Sequence, residues 1–413
     1  MTVSYDPLDP AFLDDPYPAF AWLREHDPVH HHPADHRAPA FWALSRFEHV
    51  WDAVRRPDVF SSASGLTFFD DEIGQLGIPP TIVMLDPPRQ VQLRALIGRG
   101  FTPKRVTALE DRIRAFVRSR IAAMEARHAD GETVDFHMEL AGTVPTYALA
   151  ELFGVPEADR EKFGPWVRAL TQLQNDGFAA DALTGSHASA GALGAMAEMM
   201  EYFSAAITTR RVTPGDDLLG SLVSAEVEAP DGSRQQLSDW DILGFCFVVV
   251  AGGSDTTASL ISHALTLLED APDQRRILLD DPDLIPQALL EFLRLESSVQ
   301  GLGRTTTREV EVGGVVIPSG QKVMMLYAAA NRDPREFGGN ADELDVRRSI
   351  PRHLAFSSGP HFCVGSHLAR LQARVALEEV LAAHPWISVD AAAGLRHESP
   401  FVRGWLSLPV RHL

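Results

Sequence analysis

Phe356-Ser-Ser-Gly-Pro-His-Phe-Cys-Val-Gly-Ser-His-Leu-Ala-Arg370 is the stretch from which the rest of the chain can be read. After Cys363, residues Leu368, Leu371, Val375, Leu377, Val380 and Leu381 recur at helical spacing, with no proline before Pro385. A glycine-punctuated loop precedes them. Cys363 therefore stands just ahead of a helix N-terminus, where the macrodipole and free N–H groups favour a negative sulfur. Gly359 and Gly365 mark positions expected to need positive φ or close backbone approach. Phe356 is placed to wall the sulfur off from water. The chain has 2 cysteines, which excludes a disulfide scaffold or a four-thiolate metal site. The loop reads as a buried thiolate ligand. On the loop alone, an inert core thiol or a nucleophile with His361 as its base stay open.

The pattern Phe-x-x-Gly-x-His-x-Cys-x-Gly resembles the haem-binding loop of the cytochrome P-450 family at Phe356, Gly359, His361, Cys363 and Gly365. Ala369 falls where that family has a small residue on the following helix. The resemblance implies haem b (iron protoporphyrin IX), with Cys363 as the axial thiolate on the iron and His361 reaching a propionate. Such a thiolate pushes electron density onto iron and favours O–O cleavage.

Composition agrees with one large, compact, mainly helical unit. The 413 residues show no low-complexity linker at which to cut them, so 1–413 reads as one domain, mainly α with small β-sheets. The resemblance puts the haem between a long central helix and the helix after the Cys loop. A net charge of −19 argues against nucleic acid or an anionic membrane as partner. The apolar run Cys246–Ala251 is too short to span a bilayer, and Met1-Thr-Val-Ser-Tyr-Asp-Pro lacks the features of a signal peptide. A cytoplasmic protein without a membrane span is expected.

Ser238-Asp-Trp-Asp241 reads as a capped helix start, and helical periodicity runs from there to about Asp270, ahead of Pro272. Its middle holds Ala251-Gly-Gly-Ser-Asp-Thr-Thr257. Two glycines inside a helix cost roughly 1 kcal/mol each, so something must approach the backbone closely. The stretch resembles the family's oxygen-binding groove. Gly252 and Gly253 would open the helix beside the haem, Thr256 would hydrogen-bond the oxygen, and Asp255 would relay protons. Read without the Cys363 loop, the same residues fit a kink with polar side chains capping freed carbonyls. Cys246 on this helix reads as inert core.

Other segments fall in the family's order. Leu85-Asp-Pro-Pro-Arg-Gln-Val-Gln-Leu-Arg94 should start a helix with Pro87 and Pro88 in its first turn. Arg94 matches a propionate-binding arginine, while Gln90 replaces the usual histidine. Further helices are expected over 103–129 and 134–174, with breaks at Gly131 and Gly154-Val-Pro156. Glu291 and Arg294 share a face of an apolar helix and must be paired. They resemble the family's Glu-x-x-Arg, completed by Arg348, with a folding role. Arg304 resembles the second propionate ligand, and Gly313-Gly314 marks a hairpin turn. Phe68, Phe69, Val249, Gly252, Leu302 and Phe401 are the expected pocket wall. The loop 61–80 would cover that pocket, and 175–194 would form part of a lid. The triplet His30-His31-His32 alternates along a strand and reads as a solvated strand end, not a metal site.

The resemblance implies a monooxygenase acting on a small apolar substrate with O2. Its two electrons would come from a ferredoxin and a NAD(P)H-dependent ferredoxin reductase. Arg99, Lys104, Arg105 and Arg112, or Arg370 and Arg374, are candidates for a local basic docking patch. A peroxide-using haem-thiolate enzyme and a non-catalytic haem sensor are the alternatives.

Overall fold

The computed structural model describes residues 5–69, 81–98, 100–177, 190–228 and 233–413. The helix expected at the centre runs unbroken over Asp239–Asp270. Ser238 caps it: its Oγ accepts from the Asp241 N–H at 3.0 Å. Ala271 leaves helical geometry, and Pro272 opens the next helix, Pro272–Asp280, as its pre-set φ allows. Ile261, Ala264, Leu265 and Leu268 are fully buried on the central helix, among Leu289, Phe292, Ala373 and Leu377. Burying such a leucine or isoleucine contributes about 1.5–3 kcal/mol, so this packing fixes the helix despite its glycines.

The helix after the Cys loop, Ser366–Ala383, packs against the central helix, against Ile285–Leu295 and against Glu110–Ala129. Phe163–Gly177 and Ala190–Val212 pack together and onto the central helix. To one side lies a five-stranded sheet in the order Val29–His32, Phe41–Leu44, Lys322–Met325, Leu302–Thr306, Phe60–Ser61. Its central pair, Phe41–Leu44 with Lys322–Met325, is parallel, and the other pairings are antiparallel. Val310–Val312 and Val315–Ile317 form the expected hairpin, with Gly313 and Gly314 at φ +57° and +82°.

Several sequence expectations need correction. Pro87 and Pro88 precede the helix, which spans Arg89–Gly98, so they set its entry and not its first turn. The stretch 103–129 is two helices, Pro103–Thr107 and Glu110–Ala129. The stretch 134–174 divides into a π-helical turn at His137–Ala141, the helix Thr143–Leu152, a 3-10 turn at Glu157–Lys162 and the start of Phe163–Gly177. Gly154, at φ +67°, supplies the break after Leu152. Asp239–Asp270 also has the length and apolarity of a membrane span. However, 67% of its most apolar stretch is buried inside the protein, which accounts for the apolar pattern. Of the expected pocket loop and lid, 70–80 and 178–189 lie outside the described residues.

Candidate functional site

The Cys loop is closed by its own backbone. The Cys363 N–H donates to the Phe356 carbonyl at 2.9 Å, and the Phe362 N–H to Gly359 at 3.1 Å. Gly359 is required twice over: its φ is +66°, and a Cβ there would lie 3.1 Å from the Val54 carbonyl oxygen. Gly365 differs from expectation, having an ordinary φ of −82° as N-cap of Ser366–Ala383. A methyl group on it would sit 3.9 Å from the Cys363 sulfur. The glycine therefore leaves space beside the sulfur, with no demand from the backbone.

Cys363 is exposed at its surface, yet protein surrounds it closely enough that burial raises its thiol pKa. Such a sulfur faces an internal opening. The backbone N–H groups of Gly365 and Ser366 and the charge of Arg94 act in the opposite direction, toward thiolate. Phe356 is only half-buried, and Phe362 packs edge-on to it at 6.3 Å.

Arg94, Arg304 and His361 converge beside the loop. Burial lowers the His361 pKa to about 4, and the charges of Arg304 and Arg94 add to that. A neutral imidazole results, with Nε2 3.2 Å from Ser62 Oγ. Arg304 is 2% exposed and gives one N–H to the Gly303 carbonyl at 2.7 Å. Among the described residues, neither Arg304 nor Arg94 is ion-paired with a carboxylate. A buried guanidinium is normally paired, so Arg304 without a counter-ion, beside the half-buried Arg94 and the neutral His361, points to an anionic ligand. Gln90 is used differently. Its amide donates to the Pro360 carbonyl at 2.7 Å and clamps the Arg89–Gly98 helix to the Cys loop.

The central helix is not broken at its glycines. Gly252 is exposed in the middle of a buried helix, and a Cβ built on it would meet no atom within 4 Å. The space comes from missing side chains. Gly253 faces Leu149, 3.5 Å from its would-be Cβ. Thr256 Oγ1 donates to the Gly252 carbonyl at 2.6 Å, and Ser298 Oγ donates to the Thr256 carbonyl at 2.9 Å. Asp255 points away from this opening, is 6% exposed, and lies 3.1 Å from His397 Nε2. The sequence reading passed over His397, because nothing local marks it.

Glu291 and Arg294 form a fully buried bidentate pair at 2.7 and 2.8 Å, with Arg348 Nε 3.1 Å from Glu291. Phe68, Phe69 and Phe401 pack on one another and on Phe41, Phe68 stacking at 4.7 Å from Phe41. They form a buried cluster, while Leu302 is half-buried and Val249 lies in the main core. His32 is buried against Phe41, contrary to a fully solvated strand end, and His30 pairs with Asp27 at 2.7 Å. No group able to hold a metal ion through three His, Cys, Asp or Glu side chains occurs among the described residues. In the expected docking patch, Arg112 is paired with Glu151, and Arg374 with Glu110 and Glu378. Lys104, Arg105 and Arg370 have no carboxylate partner among the described residues, and Arg99 lies outside them.

A family model described as Cytochrome P450 matches residues 75–392. The chain belongs to the cytochrome P450 family. It is 43% identical to cytochrome P450 130 of Mycobacterium tuberculosis over 96% of this chain and 95% of that one. It is 35% identical to the vitamin D(3) 25-hydroxylase of Pseudonocardia autotrophica, covering 99% and 96% of the two chains. Its fold matches Mycobacterium marinum cytochrome P450 CYP268A2, solved in complex with pseudoionone, with a TM-score of 0.85 and 33% identity over 98% and 99% of the chains. The protein is thus an oxidoreductase of the cytochrome P450 monooxygenase type, and the family implies a haem-thiolate iron cofactor. The residues present fit that group: a sulfur at a helix N-terminus, room beside Gly252, and unpaired cationic donors for carboxylates.

Proposed function

We propose that Cys363 holds haem b and that the chain, as one domain, inserts one oxygen atom of O2 into a small apolar substrate. The balance is one C–H bond, O2, two electrons and two protons giving C–OH and water. When bound, the haem supplies the oxygen chemistry, and a thiolate ligand favours O–O cleavage. Arg94, Arg304 and His361 would hold the propionates, the histidine as a neutral donor. Gly252 leaves room for the haem on the central helix, whereas Gly253 packs toward Leu149. Thr256 holds its hydroxyl proton on the Gly252 carbonyl and presents lone pairs toward that room. Asp255, the neighbouring residue on the helix, would relay protons from solvent. Glu291, Arg294 and Arg348 fix the frame.

Electrons would come from a ferredoxin and its NAD(P)H-dependent reductase. Lys104 and Arg105, on a helix packed against the one carrying Arg370, are the remaining docking cations. The apolar substrate class is supported by the hydroxylase and pseudoionone-bound relatives.

The observation that carries this reading is the buried, carboxylate-free Arg304 beside His361, Arg94 and Cys363. The test is the absorption spectrum of reduced protein under carbon monoxide. A strongly red-shifted Soret band is expected, and it should be lost in Cys363→Ser. Its survival in that variant would overturn the ligand assignment.

A further inference from the structure

His397 belongs to none of the motifs described above. It follows the short strand Leu395–Arg396 near the C-terminus, yet its ring is 5% exposed and its Nε2 faces the Asp255 carboxylate at 3.1 Å. Gly404 puts it there. A Cβ on Gly404 would fall 2.0 Å from Ser259 Oγ and 3.2 Å from the His397 ring, so no side chain fits. Ser259 lies one helical turn beyond Asp255. The C-terminal segment thus rests directly on the central helix, and the His397 N–H donates to the Gly404 carbonyl at 3.2 Å.

His397 also lines a small cleft between the N-terminal helix Pro10–Asp14 and the C-terminal segment, with Leu13, Pro16, Gln300, Ser399 and Arg403. It has room for about one water molecule. The other charged or titratable groups nearby are accounted for. Arg403 lies 3.4 Å from Glu296. His137, which also feels Asp255, is kept neutral by burial and has Nδ1 3.1 Å from Ser262 Oγ. Asp135 lies beyond His137 and accepts from the Leu408 N–H. Of the described titratable groups, His397 alone both pairs with Asp255 and lines the cleft.

We propose that His397 is a positioning residue for oxygen activation: it orients the Asp255 carboxylate and passes it protons that enter through this cleft. The proposal rests on reading Asp255 as the acid of the oxygen groove. The step moves one proton and no electrons. The Nε2–H proton of the imidazolium passes to an Asp255 oxygen, leaving neutral imidazole, which takes its next proton from water in the cleft.

The test uses the haem-loaded enzyme with Asp255→Asn and His397→Gln, which keeps a side-chain N–H but cannot titrate. First, 15N NMR of the histidine rings is recorded in the reduced, carbon monoxide-bound state, where the His397 signal is the one lost in His397→Gln. Asp255→Asn should move the His397 ring 15N signals, because the carboxylate 3.1 Å from Nε2 is removed. Second, NAD(P)H oxidation through a surrogate ferredoxin and its reductase, which supplies both electrons, is timed in H2O and D2O. His397→Gln should fold, keep the carbon monoxide spectrum, and slow that oxidation about tenfold with an altered isotope effect. Unmoved His397 signals, or a wild-type rate and isotope effect in His397→Gln, overturn the proposal. If Asp255→Asn slows the oxidation and His397→Gln does not, the proposal alone falls. If neither does, the reading of Asp255 falls with it.

Discussion

Replacing Arg294 by methionine should be among the most damaging single changes in this protein. The guanidinium is 0% exposed and donates from Nε and Nη2 to Glu291, at 2.7 and 2.8 Å, and from Nη1 to the carbonyls of Asn331 and Ala341, at 2.9 and 2.6 Å. Methionine approximates the volume and removes every donor. Removing one partner of a buried pair costs about 3–5 kcal/mol, because the other charge is left uncompensated. Here Arg348 still holds Glu291 at 3.1 Å, which argues for the lower end of that range. The two orphaned carbonyls add about 1–3 kcal/mol each if nothing replaces the donor. A loss of about 5 kcal/mol would consume much of a typical stability of roughly 5–15 kcal/mol. Urea denaturation followed by far-UV circular dichroism, at fixed haem loading, measures it. The double variant Glu291→Leu/Arg294→Met should lose less than the sum of the two single variants, by about 2 kcal/mol or more, since no unpaired carboxylate remains. If Arg294→Met lies within about 1 kcal/mol of the parent, or the two losses simply add, the pair is not the frame described above.

Two further outcomes follow from the same geometry. Burial holds His263 at about 4, with the charge of nearby Glu296 pulling the other way, and burial holds His353 at about 4 as well. In the unfolded chain both titrate near the ordinary value of 6.5, so between roughly pH 6.5 and pH 4 the unfolded state binds more protons. Their stabilisation is therefore complete above pH 6.5 and is lost on acidification, by up to about 3 kcal/mol each. Melting temperatures of His263→Gln should fall less steeply than the parent's between pH 7 and pH 5, and equal slopes would refute the assignment. Thr256→Ala removes the hydroxyl held on the Gly252 carbonyl and should divert electrons to hydrogen peroxide. The assay is peroxide formed per NAD(P)H oxidised, and an unchanged ratio would exclude Thr256 from proton handling.

How much of this was legible in the sequence depended on how far apart the partners lie along the chain. The Gly359 turn, the Ser238 cap, the Gly313-Gly314 turn and the Glu291–Arg294 spacing are local patterns, and each formed as the residues implied, while the Cys loop departed at Gly365, whose φ is ordinary, and at the half-buried Phe356. Arg348 was found as well, because the family pattern supplies a long-range partner that periodicity cannot. Propensity did not resolve boundaries inside 103–129 and 134–174, where tertiary packing decides which turn becomes π-helical. Charge counting failed for a different reason. Arg112 and Arg374 look like free cations in one dimension, yet Glu151 and Glu110 arrive from other helices to neutralise them, with Glu378 one turn along Arg374's own helix. The same blindness hid His397. Asp255 advertises itself by standing next to Thr256 in a recognisable groove, but its partner is set by Gly404, whose missing side chain lets the C-terminal segment touch the central helix at Ser259. A glycine near the C-terminus carries no signal until the atom it would strike is known. The family pattern therefore singled out Asp255, and only the packed structure shows His397 beside it.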